Sequence, residues 1–328
     1  MKPRYSIWVI SAALLCHVVY AQAPIITGFV PAKAKAGDSI TITGSGFSSE
    51  LIKNKVYFSS ISATIISAST SSLVVKVPGN CTSGTLDYTN LTTNLSTKST
   101  QVFYPLYQSV NSIDKKYFKD TIRLPSLYGL YAVITGDINN EGKNDIITCN
   151  NFSIASYGGI TIYQNTKHSK KINTSSFSNG ITLLDGTGYY DVLLADIDND
   201  GYTDIIASSL SPGRISILRN KGNSGILNAS DFDPPYHITL ANGGFRLAID
   251  DIDGDGRKDM IATHTLLGQV SLFQNKSVPG TIDNQSFHNA ITIMSGGSRT
   301  ADVAIVDIDN DQKKDIIIST ITSANINI

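Results

Sequence analysis

Four short acidic segments recur in the second part of the chain, and their spacing constrains the fold more than any other feature of the sequence. We name them loops 1 to 4, and they span residues 137–145, 196–204, 251–259 and 307–315. The distance from the start of one loop to the start of the next is nearly constant, and the loops hold 15 of the 27 acidic residues of the chain. Self-similarity at a nearly fixed spacing indicates tandem structural repeats, in which every unit packs on its neighbours.

Each repeat contains four short runs of apolar and β-branched residues. In the second repeat they are a leading run at 181–183, the run that enters loop 2, and runs at 204–206 and 215–217. Such alternating runs, separated by Gly, Asn, Asp and Pro, predict β-strands rather than helices. Four strands in about 55 residues is the content of one propeller blade. The leading strand of the first unit is predicted at 122–124, and a stacked solenoid is the alternative architecture.

The fourth repeat stops within its last predicted strand. Ile326 and Ile328 hold the same places after Asp307 as Val270 and Leu272 hold after Asp251. We therefore expect an incomplete propeller over residues 119–328, made of four units of which the last is truncated. An unpaired strand edge would remain at its end.

The composition of the loops indicates a bound cation. Carboxylates at alternate positions of so short a loop repel one another, and we expect nothing in the nine residues to neutralise them except a cation bound among their oxygens. Side chains at positions 1, 3, 5 and 9 and the backbone carbonyl at position 7 would be the ligands, while glycine at position 6 permits a sharp turn. Oxygen ligands favour Ca²⁺, and because the loops contain no Cys or His, zinc is disfavoured.

We expect up to four Ca²⁺ ions, one in each loop. The candidate metal ligands in chain order are Asp137, Asn139, Glu141, Lys143, Asp145, Asp196, Asp198, Asp200, Tyr202, Asp204, Asp251, Asp253, Asp255, Arg257, Asp259, Asp307, Asp309, Asp311, Lys313 and Asp315. Loop 1 departs from the pattern at Asn139 and Glu141, and loop 4 has Gln312 in place of the glycine. No residue is assigned to catalysis or to an organic cofactor.

The loops are similar to the first part of an EF-hand, but two features differ. Strands flank them instead of helices, and the twelfth position lacks the bidentate Glu of that motif. This combination, repeated over residues 119–328, resembles the FG-GAP/VCBS repeats of calcium-binding β-propellers, including the integrin α propeller. Since the Phe-Gly and Gly-Ala-Pro elements of the integrin version are absent or degraded, the resemblance is to bacterial-style relatives.

Residues 24–105 form a second predicted region, an independent β-sandwich. Alternating strands are expected at 40–43, 55–58, 63–66 and 73–77. The stretch from Gly37 to Phe47 has the pattern Gly-x-x-x-Thr-x-x-Gly-x-Gly-Phe. It resembles the IPT/TIG family of immunoglobulin-like domains, and this resemblance implies a spacer of the kind found in secreted and cell-surface proteins. A polar connection at 106–118 joins the two regions.

The N-terminal segment 1–23 is typical of a secretory signal peptide. Lys2 and Arg4 precede an apolar stretch at 7–20 and a small-residue cleavage site. A retained membrane anchor is the alternative, but the apolar stretch is shorter than the ~20 residues that a spanning helix needs. No later segment is long and apolar enough to span a bilayer. The sequence therefore predicts a secreted, extracellular or cell-surface protein without a transmembrane segment after cleavage.

Charge and cysteine content exclude other classes of protein. The chain has 26 basic and 27 acidic residues, and a formal charge of −1 provides no cationic field for nucleic acid or an anionic membrane. Beyond the signal peptide only Cys81 and Cys149 remain, one in each region, so they cannot form a dense disulfide framework.

The sequence therefore predicts an all-β protein, an IPT/TIG sandwich followed by propeller blades with calcium-binding loops. Its expected role is adhesion or ligand binding, with the propeller as the platform for an extracellular glycan or protein and the sandwich as a spacer. We do not expect an enzyme, since the chain lacks motifs such as His-Glu-x-x-His and Gly-x-Ser-x-Gly. Two alternatives are a secreted polysaccharide-active enzyme whose catalytic region is missing or unrecognised and a purely structural, calcium-stiffened module.

Overall fold

The computed structural model describes residues 22–328 except 80, 108–120, 127–128, 152–157, 167–171, 185, 224, 242, 296, 298, 310, 312 and 322–325. The predicted signal peptide up to residue 21 and the connection from residue 108 onward lie outside the described residues. The described part is built of strands, with single 3-10 turns at Leu51–Lys53, Thr174–Ser176 and Ala229–Asp231. None of its helical turns has the length and apolar character needed to cross a membrane.

The first region is a two-sheet sandwich. Its strands are β1 (Ile25–Val30), β2 (Lys33–Ala34), β3 (Ser39–Ser45), β4 (Asn54–Phe58), β5 (Ile61–Ser62), β6 (Thr64–Ala68), β7 (Ser72–Lys76), β8 (Leu86–Asn90), β9 (Leu95–Lys98) and β10 (Tyr104–Pro105). One sheet has the order β1-β3-β7-β6 and the other β5-β4-β8-β9, while β10 pairs in parallel with β2. Alternate residues of both sheets, such as Ile42, Val56 and Leu73, are fully buried in a shared core.

The second region is a series of four sheets. The first contains β11 (Leu130–Gly136), β12 (Asp145–Asn150), β13 (Gly159–Tyr163) and β14 (Ile181–Leu184), and the second contains β15 (Tyr189–Ala195), β16 (Asp204–Ser209), β17 (Arg214–Leu218) and β18 (Tyr236–Thr239). The third contains β19 (Leu247–Asp250), β20 (Asp259–His264), β21 (Gln269–Phe273) and β22 (Ile291–Met294), and the fourth β23 (Thr300–Val306), β24 (Asp315–Thr320) and β25 (Ile326–Asn327). All neighbours within a sheet are antiparallel.

The leading strands lie at a different place from the one predicted. The run at 181–184 is the outermost strand of the first sheet, where Ile160 lies opposite Leu183, and not the first strand of the second sheet. The corresponding strands β18 and β22 also close the sheet before them, and residues 122–124 are not a strand. An alternating run predicts that a segment is a strand, but it does not predict the strand with which that segment pairs. A strand can pair antiparallel with the strand before it through a short connection, as these strands do.

Consecutive sheets pack face to face through their alternating apolar residues. Ile147 and Ile162 of the first sheet contact a cluster with Ile205 and Ala207 of the second. The same arrangement joins the second sheet to the third and the third to the fourth. The described strands therefore form an open array of propeller blades. The predicted fold class, an immunoglobulin-like sandwich followed by an incomplete propeller, is confirmed.

Both cysteines of the described chain are free and buried. Cys81 belongs to the sandwich core, and Cys149 belongs to the contact between the first two blades. Burial raises the pKa of Cys149 to about 12, which keeps it a protonated thiol. Disulfides therefore do not stabilise the described part of either region.

Candidate metal centres in the acidic loops

Each loop is the hairpin turn between the two inner strands of a blade. In the second blade Ala195 lies opposite Asp204, so the strand pair ends where loop 2 begins. The Asp204 Oδ2 atom accepts a hydrogen bond of 2.9 Å from the backbone N–H of Ile197. Position 9 therefore closes the loop onto its own start, and the equivalent carboxylates of loops 1, 3 and 4 do the same.

The carboxylate at position 1 organises the turn. The Asp196 Oδ1 atom accepts from the N–H of Asp200 at 3.0 Å, and Oδ2 accepts from the N–H of Gly201 at 3.0 Å. Gly201 has φ of +89°, a left-handed conformation that strongly favours glycine. Loops 1 and 3 contain the same glycine conformation, at +85° and +84°. The acid at position 1 and the glycine at position 6 thus stabilise the turn jointly. The residue at position 6 of loop 4 lies outside the described residues.

In each of three loops, the carboxylates lie close enough together to bind a common ion. In loop 2 the oxygens of Asp196, Asp198 and Asp204 lie within 4.8 Å of one another, and all three residues are buried. In loops 3 and 4 the group is formed by the acids at positions 1, 3 and 5 instead of 1, 3 and 9. Loop 1, which is described throughout and has Asn139 at position 3, does not form such a trio of acids. Of the predicted ligands, those of loops 2 to 4 are therefore the better assembled.

Burial makes these acids hard to ionise without a counter-charge. Desolvation raises the pKa of Asp196 to about 7 and that of Asp145 to about 7, and it raises the pKa of Asp204 well above its ordinary value. In loop 3, burial raises the pKa of Asp251 and of Asp259 to about 6. A cation placed among the oxygens would reverse these shifts.

Basic side chains already supply part of that counter-charge. Arg219, at the end of β17, donates from Nε to Asp198 Oδ2 at 2.7 Å and from a terminal nitrogen to Asp200 Oδ2 at 2.5 Å. At position 7 of loops 1, 3 and 4 the lysine or arginine side chain pairs with the acid at position 5. The expectation that a bound ion alone relieves the repulsion is therefore wrong, because side chains from inside and outside the loops also share the charge.

The residues nevertheless fit a hard divalent cation. The Asn139 Oδ1 atom in loop 1 is buried and has no hydrogen-bond partner, so an oxygen ligand is available there. In loops 2 to 4 the carboxylates retain lone pairs after their backbone hydrogen bonds. Ca²⁺ prefers oxygen donors and takes about six to eight of them, and the three to four side-chain groups of a loop would supply part of that set.

Sequence reasoning missed the role of two asparagines that connect adjacent loops. The Nδ2 group of Asn220 donates to the carbonyl of Ile138 in loop 1 at 2.6 Å, and that of Asn275 donates to the carbonyl of Ile197 in loop 2 at 2.7 Å. Both asparagines are buried, and their backbone N–H groups bond the ninth-position acid of their own loop. Both hold the same place relative to the first Asp of their loop, and this constant position is the sequence signal that marks them.

Replacing one of these asparagines should destabilise the contact between blades. Asn275→Ala leaves the buried carbonyl of Ile197 and the partly buried carbonyl of Lys258 without this donor. We expect a loss of about 2–4 kcal/mol in the free energy of unfolding, measured by urea denaturation. The exposed Asn284→Ala is the control, with a change below about 0.5 kcal/mol. Equal stability of the two variants would contradict a bridging role.

The sandwich packs directly on the loops. The hydroxyl of Tyr57 donates to the carbonyl of Gly201 at 2.7 Å, and the backbone N–H and hydroxyl of Ser96 donate to that of Gly256 at 2.7 and 2.9 Å. The Asp137 N–H donates to the carbonyl of Ser60 at 3.1 Å. The sandwich, which the sequence predicted to be a spacer, is therefore docked on the repeats and covers the loop end of the first three blades.

Comparison with known proteins gives the class of both regions. A model of the IPT/TIG domain matches residues 24–105, and a model of the FG-GAP-like repeat matches residues 196–262 and 251–318. The chain therefore carries an IPT/TIG domain followed by FG-GAP-like repeats, as its sequence predicted. Together these modules fit an extracellular recognition or ligand-binding protein.

No curated protein matches this chain, whereas several solved structures are similar to it. A protein of unknown function from Bacteroides thetaiotaomicron is 12% identical, covering 91% of this chain and 68% of its own, with a TM-score of 0.37. An auxiliary nutrient binding protein from Bacteroides ovatus is 10% identical, and the match covers 93% of this chain and 85% of that protein, with a TM-score of 0.34. A rhamnogalacturonan lyase from Bacillus licheniformis is also 10% identical, and the match covers 92% of this chain and 60% of that protein, with a TM-score of 0.34.

Proposed function

We propose that this protein is exported and acts outside the cell as a calcium-binding module for adhesion or ligand recognition. The observation that carries the proposal is the set of three carboxylate groups in loops 2 to 4, each with oxygens within 4.8 Å. Extracellular modules bind Ca²⁺ with Kd of about 10⁻⁴–10⁻³ M, which suits the calcium concentration outside cells. Residues 1–23 would be removed on export, and N-terminal sequencing of the secreted protein tests this.

The acids at positions 1, 3 and 5 would hold the ion in loops 3 and 4, and those at positions 1, 3 and 9 would hold it in loop 2. The remaining acid and the carbonyl at position 7 would complete each set. Bound calcium would supply positive charge at the centre of each loop. Asp196 and Asp204, through their backbone hydrogen bonds, orient the loop, while Arg219 holds the outer oxygens of Asp198 and Asp200. The role of the loops in this proposal is structural, since they keep the hairpin ends of the blades in place.

The ligand surface would lie at the opposite end of the blades. Because the sandwich covers the loop end, the free end is where the inner strands begin. Rings from three consecutive blades meet there, with centroids of Tyr131 and Tyr190 4.8 Å apart and those of Tyr190 and Phe245 5.8 Å apart. The Arg246 guanidinium lies 5.0 Å from the Phe245 centroid. Half-exposed rings beside a charged group suit the apolar and polar faces of a sugar or a protein side chain.

A role in binding rather than catalysis is the better proposal for the described residues. The buried carboxylates of the loops already bond backbone N–H groups and basic side chains. His264 lies in the core, where its Nδ1 contacts the carbonyl of Ala241 at 2.6 Å and its Nε2 the hydroxyl of Ser271 at 2.7 Å. Burial lowers the pKa of His264, so the ring stays neutral and structural.

The ligand surface can be tested with an array of extracellular glycans probed in calcium. Tyr131→Ala/Tyr190→Ala should weaken the strongest glycan signal at least about tenfold, because stacked rings contribute much of the contact energy. Tyr104→Ala is the matched control, since Tyr104 of the sandwich is 48% exposed and Tyr131 is 42% exposed. Equal loss in both variants would contradict this location, and a silent array for the wild type would contradict a glycan ligand.

A further inference from the structure

We propose that divalent cations in loops 2 and 3 hold the IPT/TIG sandwich on the repeats, so that removing the cation releases the joint between the two regions. This inference rests on the proposed calcium binding and adds a consequence to it. Calcium would then set the relative placement of the two modules as well as the stability of each blade.

The acceptors of the joint are backbone carbonyls within the loops. The carbonyl of Gly201, at position 6 of loop 2, accepts from the Tyr57 hydroxyl at 2.7 Å and from Asn140 Nδ2 of loop 1 at 3.1 Å. The carbonyl of Gly256, at position 6 of loop 3, accepts from the N–H of Ser96 at 2.7 Å and from Asn199 Nδ2 of loop 2 at 2.8 Å. Each carbonyl thus accepts from one sandwich residue, which donates twice in the case of Ser96, and from one asparagine of the preceding loop.

These carbonyls lie between two positions that would bind the cation. Position 6 is flanked by the carboxylate at position 5 and the carbonyl at position 7. Without a cation, the acids at positions 1, 3 and 5 repel one another. Relaxation of the loop would then rotate the peptide group between positions 6 and 7. The direction of the position-6 carbonyl therefore depends on the charge state of the site.

The joint tolerates little displacement. Tyr57 and Ser96 are buried, with 5% and 3% of their surface exposed, so their polar groups must keep partners. A Cβ atom on Gly201 would lie 3.0 Å from Leu91, and one on Gly256 would lie 3.0 Å from Leu95. Sandwich and loops are therefore in close contact at the glycines themselves. A loop that moves by a fraction of an ångström loses both hydrogen bonds and packing.

Direct charge attraction works in the opposite direction. Lys55 of the sandwich lies 5.7 Å from the Tyr202 ring centroid, and Lys98 lies 3.8 Å from Asp250 beside loop 3. These lysines attract the acidic loops most strongly when no cation is bound. Lys98 is one-third exposed and its attraction is screened, whereas the hydrogen bonds of Tyr57 and Ser96 are buried. We therefore expect that displacement of the position-6 carbonyls weakens the joint in the absence of a cation more than the attraction of the lysines strengthens it.

Hydrogen exchange at single-amide resolution on the full chain tests the proposal, because the Ser96 N–H is bonded across the joint. In calcium this amide should be protected, and in chelator it should exchange at least about tenfold faster. The amides of Leu73 and Val75, which lie on the other sheet of the sandwich, serve as the control and should change little. Unchanged or slower Ser96 exchange in chelator overturns the inference.

Calorimetric titration with calcium separates this inference from the proposed function. If no calcium binds, the proposed function fails as well. If calcium binds but Ser96 exchange does not respond, only the inference fails. Because linkage is reciprocal, Tyr57→Phe should weaken calcium binding about three- to tenfold through loss of one buried hydrogen bond. Tyr104→Phe, remote from the loops, should leave the affinity unchanged, and an equal effect of both variants overturns the coupling.

Discussion

At about pH 7.5 the repeats should melt at a temperature on the order of 10 °C higher in about 5 mM calcium than in chelator. With Kd of about 10⁻⁴–10⁻³ M, one occupied site stabilises the folded state by about 1–2 kcal/mol. Three sites in one cooperative array give about 3–6 kcal/mol, and a region of this size gains a few degrees for each kcal/mol. Differential scanning calorimetry of the mature chain measures the effect.

The acids of loop 3 provide the variant for this experiment. Asp253→Asn/Asp255→Asn removes two clustered carboxylates, of which one pairs with Arg257 and the other with Gln274. We expect it to lose about one-third of the calcium-dependent shift. Asp231→Asn, in a 3-10 turn where the carboxylate accepts from Asn223 and Asn228 instead of from a loop residue, should retain the full shift. Identical melting of the wild type in calcium and in chelator would contradict the proposed calcium sites.

In chelator, lowering the pH from about 8 to about 5 should stabilise the repeats by roughly 5 kcal/mol, since each of two buried acids is linked over about two pKa units of this window and one unit corresponds to about 1.36 kcal/mol. Burial raises the pKa of Asp196 from 3.8 in its ordinary state to about 7 in the folded chain. Between these values the folded state binds the proton and the unfolded state does not, so stability falls as pH rises through this window. Asp145, whose pKa burial raises to about 7, contributes with the same sign.

Calcium should invert this dependence. The ion competes with the proton for the same oxygens, lowers the pKa of the bound acids and makes acidification destabilising. Urea denaturation at several pH values, in calcium and in chelator, measures both slopes. Asp196→Asn keeps the size of the side chain without its charge and should flatten the chelator profile. Stability in chelator that rises from pH 5 to pH 8 would contradict the burial-driven shift of Asp196.

Docking of the sandwich changes the interpretation of the acidic loops. A loop end that faced solvent could contact ligands directly, as expected for a propeller platform. Here the position-6 glycines of loops 2 and 3 contact the sandwich. Because glycine has no side chain, these residues can adopt the positive φ of the turn and also allow the sandwich to approach the loop closely. Recognition is therefore proposed at the aromatic end of the blades, which the sandwich leaves free.

Local sequence patterns predicted the strands and loops well but not their partners. Alternation along β12 or β16 depends on residues within one strand, and the loop pattern is contained in one short, continuous segment. Arg219 and Asn275, in contrast, act on carboxylates and carbonyls that are distant in the chain. Arg219 does not stand out by type or by its neighbours, and Asn275 is marked only by its constant distance from the first Asp of its loop. Their roles depend on the pairing of β17 and β21 with the strands that follow the loops.

The amino-acid sequence by itself determined the all-β class, the two regions, the repeat and the acidic clusters, because each is encoded by residue type at short or regular spacing. Tertiary structure alone decided that the leading strands close the preceding blade, that basic side chains share the charge of the loops, and that the sandwich sits on them. Those outcomes depend on which surfaces meet in space. Contacts between distant segments are selected by packing and hydrogen bonding over the whole fold, which no local pattern records.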